Sequence, residues 1–345
     1  MNATARRVTP TATLVLPATA DRADWLAARR RGVGSSDIAA LMGVSEYAGP
    51  QHVFYDKVGR RRSDSDAGEA ALWGTLHEET VAREWARRNR TVVRRVGLVA
   101  HVDAPWMMCT LDRRCTQCPL NPDVHEACAL EVKTRDKMLA PKWRKGSPDD
   151  VLAQVLWQIR ITGYAHIHVA VLIGGNDYRQ FTVFRAGNEE LIEDIASVAG
   201  RFWHGNVLAR VAPEPSGMER PDALIDLYEG LNPDRTGWVD LAEHPSAYWD
   251  LQDYVTHRAA ESAAEKAKNA AKARLIGALG GAVYARFDGD DAFRYEEQLR
   301  RHVDMERLAE QFPEAYEACV ADRPSRVLRI EKKYASKGVV DAVAA

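Results

Sequence analysis

The segment ALEVKT at residues 129–134 most restricts how this chain can fold, because it sets two opposite charges into an otherwise apolar run. Residues two apart on an extended strand share a face, so Glu131 and Lys133 leave one side while Leu130 and Val132 leave the other. Charged groups in a buried strand require a partner or a task. A structural ion pair, or a solvated strand edge, is one reading. The other is chemical. Asp112 precedes the strand and Gln154 follows it in LAQVLWQIRITG, an order that suits a metal-dependent phosphodiesterase. Carboxylate oxygens are hard ligands for Mg²⁺, and a neighbouring lysine can orient the attacking water.

Further polar residues sit on apolar helical stripes. ALWGTLHEETVAREWARR has helical periodicity, and Val81, Ala82 and Trp85 lie three, four and seven residues beyond Glu78. Glu78 therefore belongs to the inward face, either as a metal-site carboxylate or in a partly exposed salt bridge, whereas Glu79 and Arg83 can look outward. Gln154 shares its face with Val151, Trp157, Gln158 and Ile161, so its amide must find partners in a catalytic centre or on nearby backbone. Near the N-terminus, DWLAARRRGVGSSDIAALMG places Gly32, Gly34, Ser35 and Ser36 before an apolar helix that Ser36 or Asp37 can cap. One guanidinium among Arg29, Arg30 and Arg31 can grip a phosphate there. A capped helix after a solvated basic run is the alternative.

Taken in order, WLAAR, GSSD, LWGTLHEE, LDRR, LEVKT and AQVLWQ resemble the YqaJ-type viral recombinases, relatives of lambda exonuclease in the PD-(D/E)XK nuclease superfamily. The resemblance covers about Trp25 to Leu208. It implies an α/β fold with a restriction-endonuclease-like core, a central mixed sheet flanked by helices. It implies Asp112, Glu131, Glu78 and the Val132 backbone carbonyl as metal ligands, Lys133 as the catalytic lysine, Gln154 as an active-site glutamine, and Arg29 and Ser36 as holders of a DNA 5′-phosphate. The implied activity is 5′→3′ degradation of one strand of linear duplex with Mg²⁺ or Mn²⁺, two ions being expected, to leave 3′ overhangs for phage-type recombination. A single-strand annealing partner and a ring-shaped homotrimer come with the same resemblance. Leu111 stands where the family usually has proline.

The stretch between Asp112 and Glu131 is long for such a hairpin and holds Cys115, Cys118, His125 and Cys128. This C-x₂-C and H-x₂-C pattern can make a tetrahedral zinc site, or the thiols can be reduced residues of a loop. Two readings of other classes follow: a non-catalytic DNA-end binder, and a metal-cluster repair nuclease of the helicase-nuclease or CRISPR-associated kind.

A net charge of −2 excludes a strongly basic nucleic-acid binder, but a DNA channel needs only a local patch. Arg135, Lys137, Lys142, Arg144 and Lys145, beside the Glu-x-Lys, suit DNA contact better than Arg83, Arg87, Arg88, Arg90, Arg94 and Arg95, which read as a soluble face. No apolar run reaches membrane-spanning length, LVLPATA is too short for a signal peptide, and clustered cysteines do not suggest a disulfide framework. The expected location is the cytoplasm of a bacterial host, encoded by a phage or prophage. Strands are expected at 92–102, 106–112, 129–134, 166–173 and 179–184, with GGND turning the last hairpin and an apolar-striped helix over 188–208. Composition changes after Val211, which divides the chain into a nuclease core, 1–212, and a mainly helical extension, 213–345. The extension should contain a long helix over 247–279 ended by Gly280, a helix capped by Asp304, and a strand-like RVLRIEKK.

Overall fold

Two compact units, residues 1–235 and 236–345, divide the computed structural model, which describes residues 7–60, 68–120, 128–322, 325–331 and 334. In the first unit the elements run β1 (Ala12–Pro17), α1 (Arg22–Arg29), α2 (Ile38–Leu41), α3 (Pro50–Lys57), α4 (Glu69–Arg88), β2 (Val93–Arg94), β3 (Gly97–His101), β4 (Met108–Leu111), β5 (Arg113–Cys115), β6 (Ala129–Arg135), α5 (Asp149–Thr162), β7 (His166–Ile173), β8 (Asp177–Phe184), α6 (Glu189–Phe202) and α7 (Pro221–Leu231).

The segment singled out by its charges becomes β6, the middle strand of a five-stranded mixed sheet ordered β2-β5-β6-β7-β8. β6 and β7 are parallel, with Glu131 opposite Val169, while the other pairs are antiparallel. A parallel pair needs a crossover, and α5 supplies it. This helix is buried nearly all round, with Val155, Leu156, Trp157, Ile159 and Ile161 inaccessible, because the sheets, α2 and α6 surround it. Burying one such side chain stabilises the fold by about 1.5–3 kcal/mol. Gly163, at φ 75°, ends the helix in the left-handed conformation that a side chain would disfavour. On the other face of the sheet, Val81, Ala82 and Trp85 of α4 pack against Leu130, Val132 and Ala170. The alternation of β6 therefore turns Glu131 and Lys133 toward α5.

Several elements differ from the sequence expectations. LVLPATA contributes to β1, which pairs with β3 in a second sheet ordered β1-β3-β4. The single strand expected over 92–102 divides into β2 and β3, which join different sheets. Asp112 lies between β4 and β5, where the chain passes from one sheet to the other. The first unit continues beyond the Pro-rich stretch after Val211, because α7 is tied back to α3: His52 Nε2 donates to the Ala223 carbonyl (3.0 Å) and the Tyr228 hydroxyl to Gln51 Oε1 (2.6 Å). Gly174 and Gly175 turn the β7–β8 hairpin at φ 58° and 80°.

The second unit holds α8 (Pro245–Leu279), a hairpin of β9 (Tyr284–Phe287) and β10 (Asp290–Arg294), α9 (Met305–Gln311) and α10 (Pro313–Cys319). Gly280 ends α8 at φ 56°, and Asp304 caps α9 by accepting the Arg307 N–H (3.0 Å). Residues 325–331 are irregular rather than a strand, with no strand pairing them among the described residues. No helix among the described residues is long and apolar enough to cross a membrane.

Candidate active site

Glu131 is 2% exposed, and among the described residues the hydrogen bonds to its carboxylate come from side chains placed by β6 or α5. Lys133 Nζ donates to Glu131 Oε1 and to Gln154 Oε1 (2.9 Å), while Gln154 Nε2 donates to Glu131 Oε1 (2.7 Å). The opposite oxygen, Oε2, accepts from Gln158 Nε2 (2.7 Å), which is also within reach of the Thr110 carbonyl (3.3 Å). Gln154 and Gln158 are four apart on one helix and so reach the two oxygens of one carboxylate. The sequence reading placed Gln158 on this stripe without assigning it a role. A second buried amide one turn after Gln154 was the available signal. Its own Oε1 is buried without a hydrogen-bond partner.

Asp112 enters from the irregular step between β4 and β5, where its Oδ2 accepts the Val132 N–H (2.7 Å). Burial first, then the charge of Glu131 and that of Glu78, pushes the Asp112 carboxyl well above its usual range, although Lys133 opposes this. Three carboxylates near enough to repel one another are a set of hard oxygen donors deficient in positive charge, which fits a divalent cation. Glu78 projects from α4, and the neighbour of Asp112 holds it there: Arg113 is 3% exposed, with Nη1 donating to Glu78 Oε1 (2.5 Å) and Nη2 to Glu79 Oε2 (2.8 Å). Glu79 thus looks toward Arg113 as well as toward solvent. Arg113 was visible in LDRR, but only the fold shows that it faces α4 rather than solvent.

The anion-site candidates also meet. Arg29 Nη2 donates to Ser36 Oγ (3.2 Å) and to Asp37 Oδ1 (2.6 Å), and Arg29 lies over the Trp25 ring. Asp37 does not cap α2: its Oδ2 accepts the Gly34 N–H (2.8 Å) and pairs with Lys57 Nζ (2.6 Å), whose side chain is fully buried. Burial alone would raise the Asp37 carboxyl, but the charges of Lys57 and then Arg29 hold it down at about 2. A carboxylate depressed below its unfolded value contributes stability above that value and loses it as the pH falls. The contribution of Asp37, on the order of 2 kcal/mol, should therefore be complete above roughly pH 4 and vanish as pH approaches 2. Urea titrations at stepped pH, wild type against Asp37→Asn, check this: only the wild type should carry that increment of stability and lose it across the interval.

Both groups line one cleft of about 1400 Å³, which includes Arg29, Ser36, Glu78, Asp112, Glu131, Val132, Lys133 and Gln154. Arg135, Lys142 and Lys145 of the nearby basic group also line it. In the other basic group, Arg83, Arg87, Arg88 and Arg95 pair with Glu79 or Glu84 on the exposed side of α4. Of the residues considered for zinc, His125 lies outside the described residues. Cys118 and Cys128 gather instead with His166 and His168, with Cys115 alongside.

Residues 24–165 match the YqaJ-like viral recombinase domain. Over these residues the chain is similar to that domain. The uncharacterized protein YqaJ of Bacillus subtilis (strain 168) is 26% identical over 304 residues, covering 86% of this chain and 90% of that protein. Crystal structures of an alkaline exonuclease (LHK-Exo) from Laribacter hongkongensis, and of LHK-Exo in complex with dAMP, are 17% and 18% identical. Each superposes with a TM-score of 0.43 and covers 55% of this chain and 94% of the other. The YqaJ-like domain contains every side chain of the cleft named above, from Arg29 to Gln158, whereas β7 and β8 lie beyond it.

Proposed function

We propose that the chain is an exonuclease of the alkaline type that degrades the 5′-ended strand of linear duplex DNA, with Mg²⁺ or Mn²⁺, and leaves 3′ single strands for recombination. The observation carrying this reading is the set of Asp112, Glu131, Lys133 and Gln154 gathered in the same cleft as Arg29 and Ser36. Asp112, Glu131, the Val132 carbonyl and Glu78 are the groups that would hold a pair of ions. Bound there, divalent ions would supply Lewis-acid stabilisation of charge on the scissile phosphate. Lys133 is held by Glu131 and Gln154 with its ammonium beside the carboxylates, where it can orient the nucleophile and balance developing charge. Gln158 fixes the rotamer of Glu131, and Arg113 that of Glu78. Arg29, braced by Asp37, keeps guanidinium N–H groups for a terminal phosphate beside the exposed Ser36 hydroxyl. Arg135, Lys142 and Lys145 add positive charge along the strand path.

The decisive experiment uses linear duplexes labelled at either end, with or without a 5′-phosphate, in Mg²⁺ or EDTA. Mg²⁺-dependent release from phosphorylated 5′ ends, with loss of the phosphate preference in Arg29→Ala, is the expected result. Cleavage of closed circles would replace the exonuclease by an endonuclease, and intact DNA throughout would remove the nuclease reading. Gln158→Leu should raise the Mg²⁺ concentration for half-maximal cleavage by about 10- to 100-fold, as loss of a group supporting a metal ligand typically does. Light scattering on the full chain tests the accompanying ring trimer.

A further inference from the structure

On the α4 face of the sheet, opposite Glu131 and Lys133, lies a second set of ligand-type side chains. Cys128 leads into β6, while His166 and His168 share one face of β7 with Ala170. His168 is opposite Leu130 in the parallel register, so these imidazoles lie on the side of β6 opposite Glu131. One ligand atom from each of Cys118, Cys128, His166 and His168 lies within 4.8 Å of the other three. Cys118 Sγ and His166 Nε2 are 3.2 Å apart, and the Cys128 thiol meets both His166 and Cys115. With ordinary zinc–sulfur and zinc–nitrogen bonds, the edges of a tetrahedral site are roughly 3.3–3.8 Å, so small side-chain movements would close this one.

His168 supplies the independent observation. Its Nδ1 bonds Thr182 Oγ1 (2.9 Å), while its Nε2 is buried with no hydrogen-bond partner. The Trp85 ring packs on the imidazole with centroids 5.0 Å apart, which shuts solvent out on that side. A neutral imidazole donating from Nδ1 to a second residue presents the Nε2 lone pair, the usual posture of a histidine ligand. His166 is only half-buried and leaves a path for an ion to enter.

We propose that Cys118, Cys128, His166 and His168 bind a structural Zn²⁺ ion that ties the excursion between β5 and β6 to β7. Two thiolates and two imidazoles in tetrahedral array select zinc over the hard ions suited to the carboxylate cleft. The staple holds the base of the segment joining Asp112 to Glu131, an excursion with few apolar residues to order it. The Cys115 thiol, hydrogen-bonded to Cys128, supports the site from beside it.

The test is elemental analysis of the full-length chain, with any affinity tag removed, after expression in zinc-replete medium. About one zinc per chain is expected, falling at least about tenfold in Cys128→Ser and in His168→Ala and remaining in Asp112→Asn, which disables the other candidate metal site. Cobalt-substituted wild type should show the visible bands of tetrahedral thiolate coordination. If the cysteine and histidine variants do not fold, mercurial titration of wild type should release its zinc to a chromophoric chelator as the thiols react. Wild type without stoichiometric zinc, iron with acid-labile sulfide in its place, zinc undiminished in Cys128→Ser and His168→Ala, or zinc retained through thiol modification would each overturn the proposal.

Discussion

Lys133→Ala is expected to slow strand hydrolysis by about 10³-fold or more while duplex binding stays within a few-fold of wild type. The hydrogen bonds of the lysine run to Glu131 and Gln154 rather than to Arg135, Lys142 or Lys145, so its removal should spare the basic residues proposed to meet the DNA backbone. It does delete the cation paired with Glu131, beside an Asp112 carboxyl that burial and then the charge of Glu131 raise above its usual range. Single-turnover cleavage measured with Mg²⁺, and binding measured with Ca²⁺, separate the two effects. Asp112→Asn should behave similarly in cleavage, because the amide retains the size of the carboxyl but loses the charge. Near-normal cleavage by Lys133→Ala would reduce the Glu131–Lys133 pair to a structural ion pair, the ordinary meaning of this pattern in a strand.

Asp37→Ala is expected to destabilise the first unit by about 3–5 kcal/mol, the range for stripping one partner from a buried ion pair. The side chain of Lys57 is 0% exposed, and within 4 Å of its ammonium the carboxylates are those of Asp37, at 2.6 Å, and Asp56, at 3.8 Å. Losing the nearer carboxylate also frees Arg29, whose Nη2 is bonded to Asp37. Chemical denaturation followed by circular dichroism gives the stability change. Asp37→Ala combined with Lys57→Met should recover much of the loss, since the uncompensated charge disappears with its partner. A single variant within about 1 kcal/mol of wild type would mean that the Lys57 ammonium reaches water after all.

The anchored pair explains why Asp37 departs from the capping role read in GSSD. Gly34, Ser36 and, of the preceding arginines, Arg29 line the cleft, and Arg29 reaches Ser36. Asp37, however, is spent on Lys57 and the Gly34 amide rather than on capping α2. Lys57 arrives from α3, and no local pattern links it to Asp37. The same holds for Arg113, whose partners on α4 precede it by the rest of that helix and three strands. Contacts across such separations are set by which faces pack, and local spacing does not contain that information.

Local spacing did carry the strand and helix that hold the central charges. The alternation in ALEVKT placed Glu131 and Lys133 on one face of β6, and the helical period placed Gln154 and Gln158 on one face of α5, because a two-residue and a 3.6-residue repeat determine side-chain direction wherever the element lies. Tertiary structure decided the rest: it turned those two faces toward each other, swung Asp112 off the end of β4 onto the Val132 amide, and brought His166 and His168 to cysteines distant in the chain. Direction along an element is a property of covalent geometry and repeat, whereas convergence depends on how the sheet and its helices bury their apolar sides together.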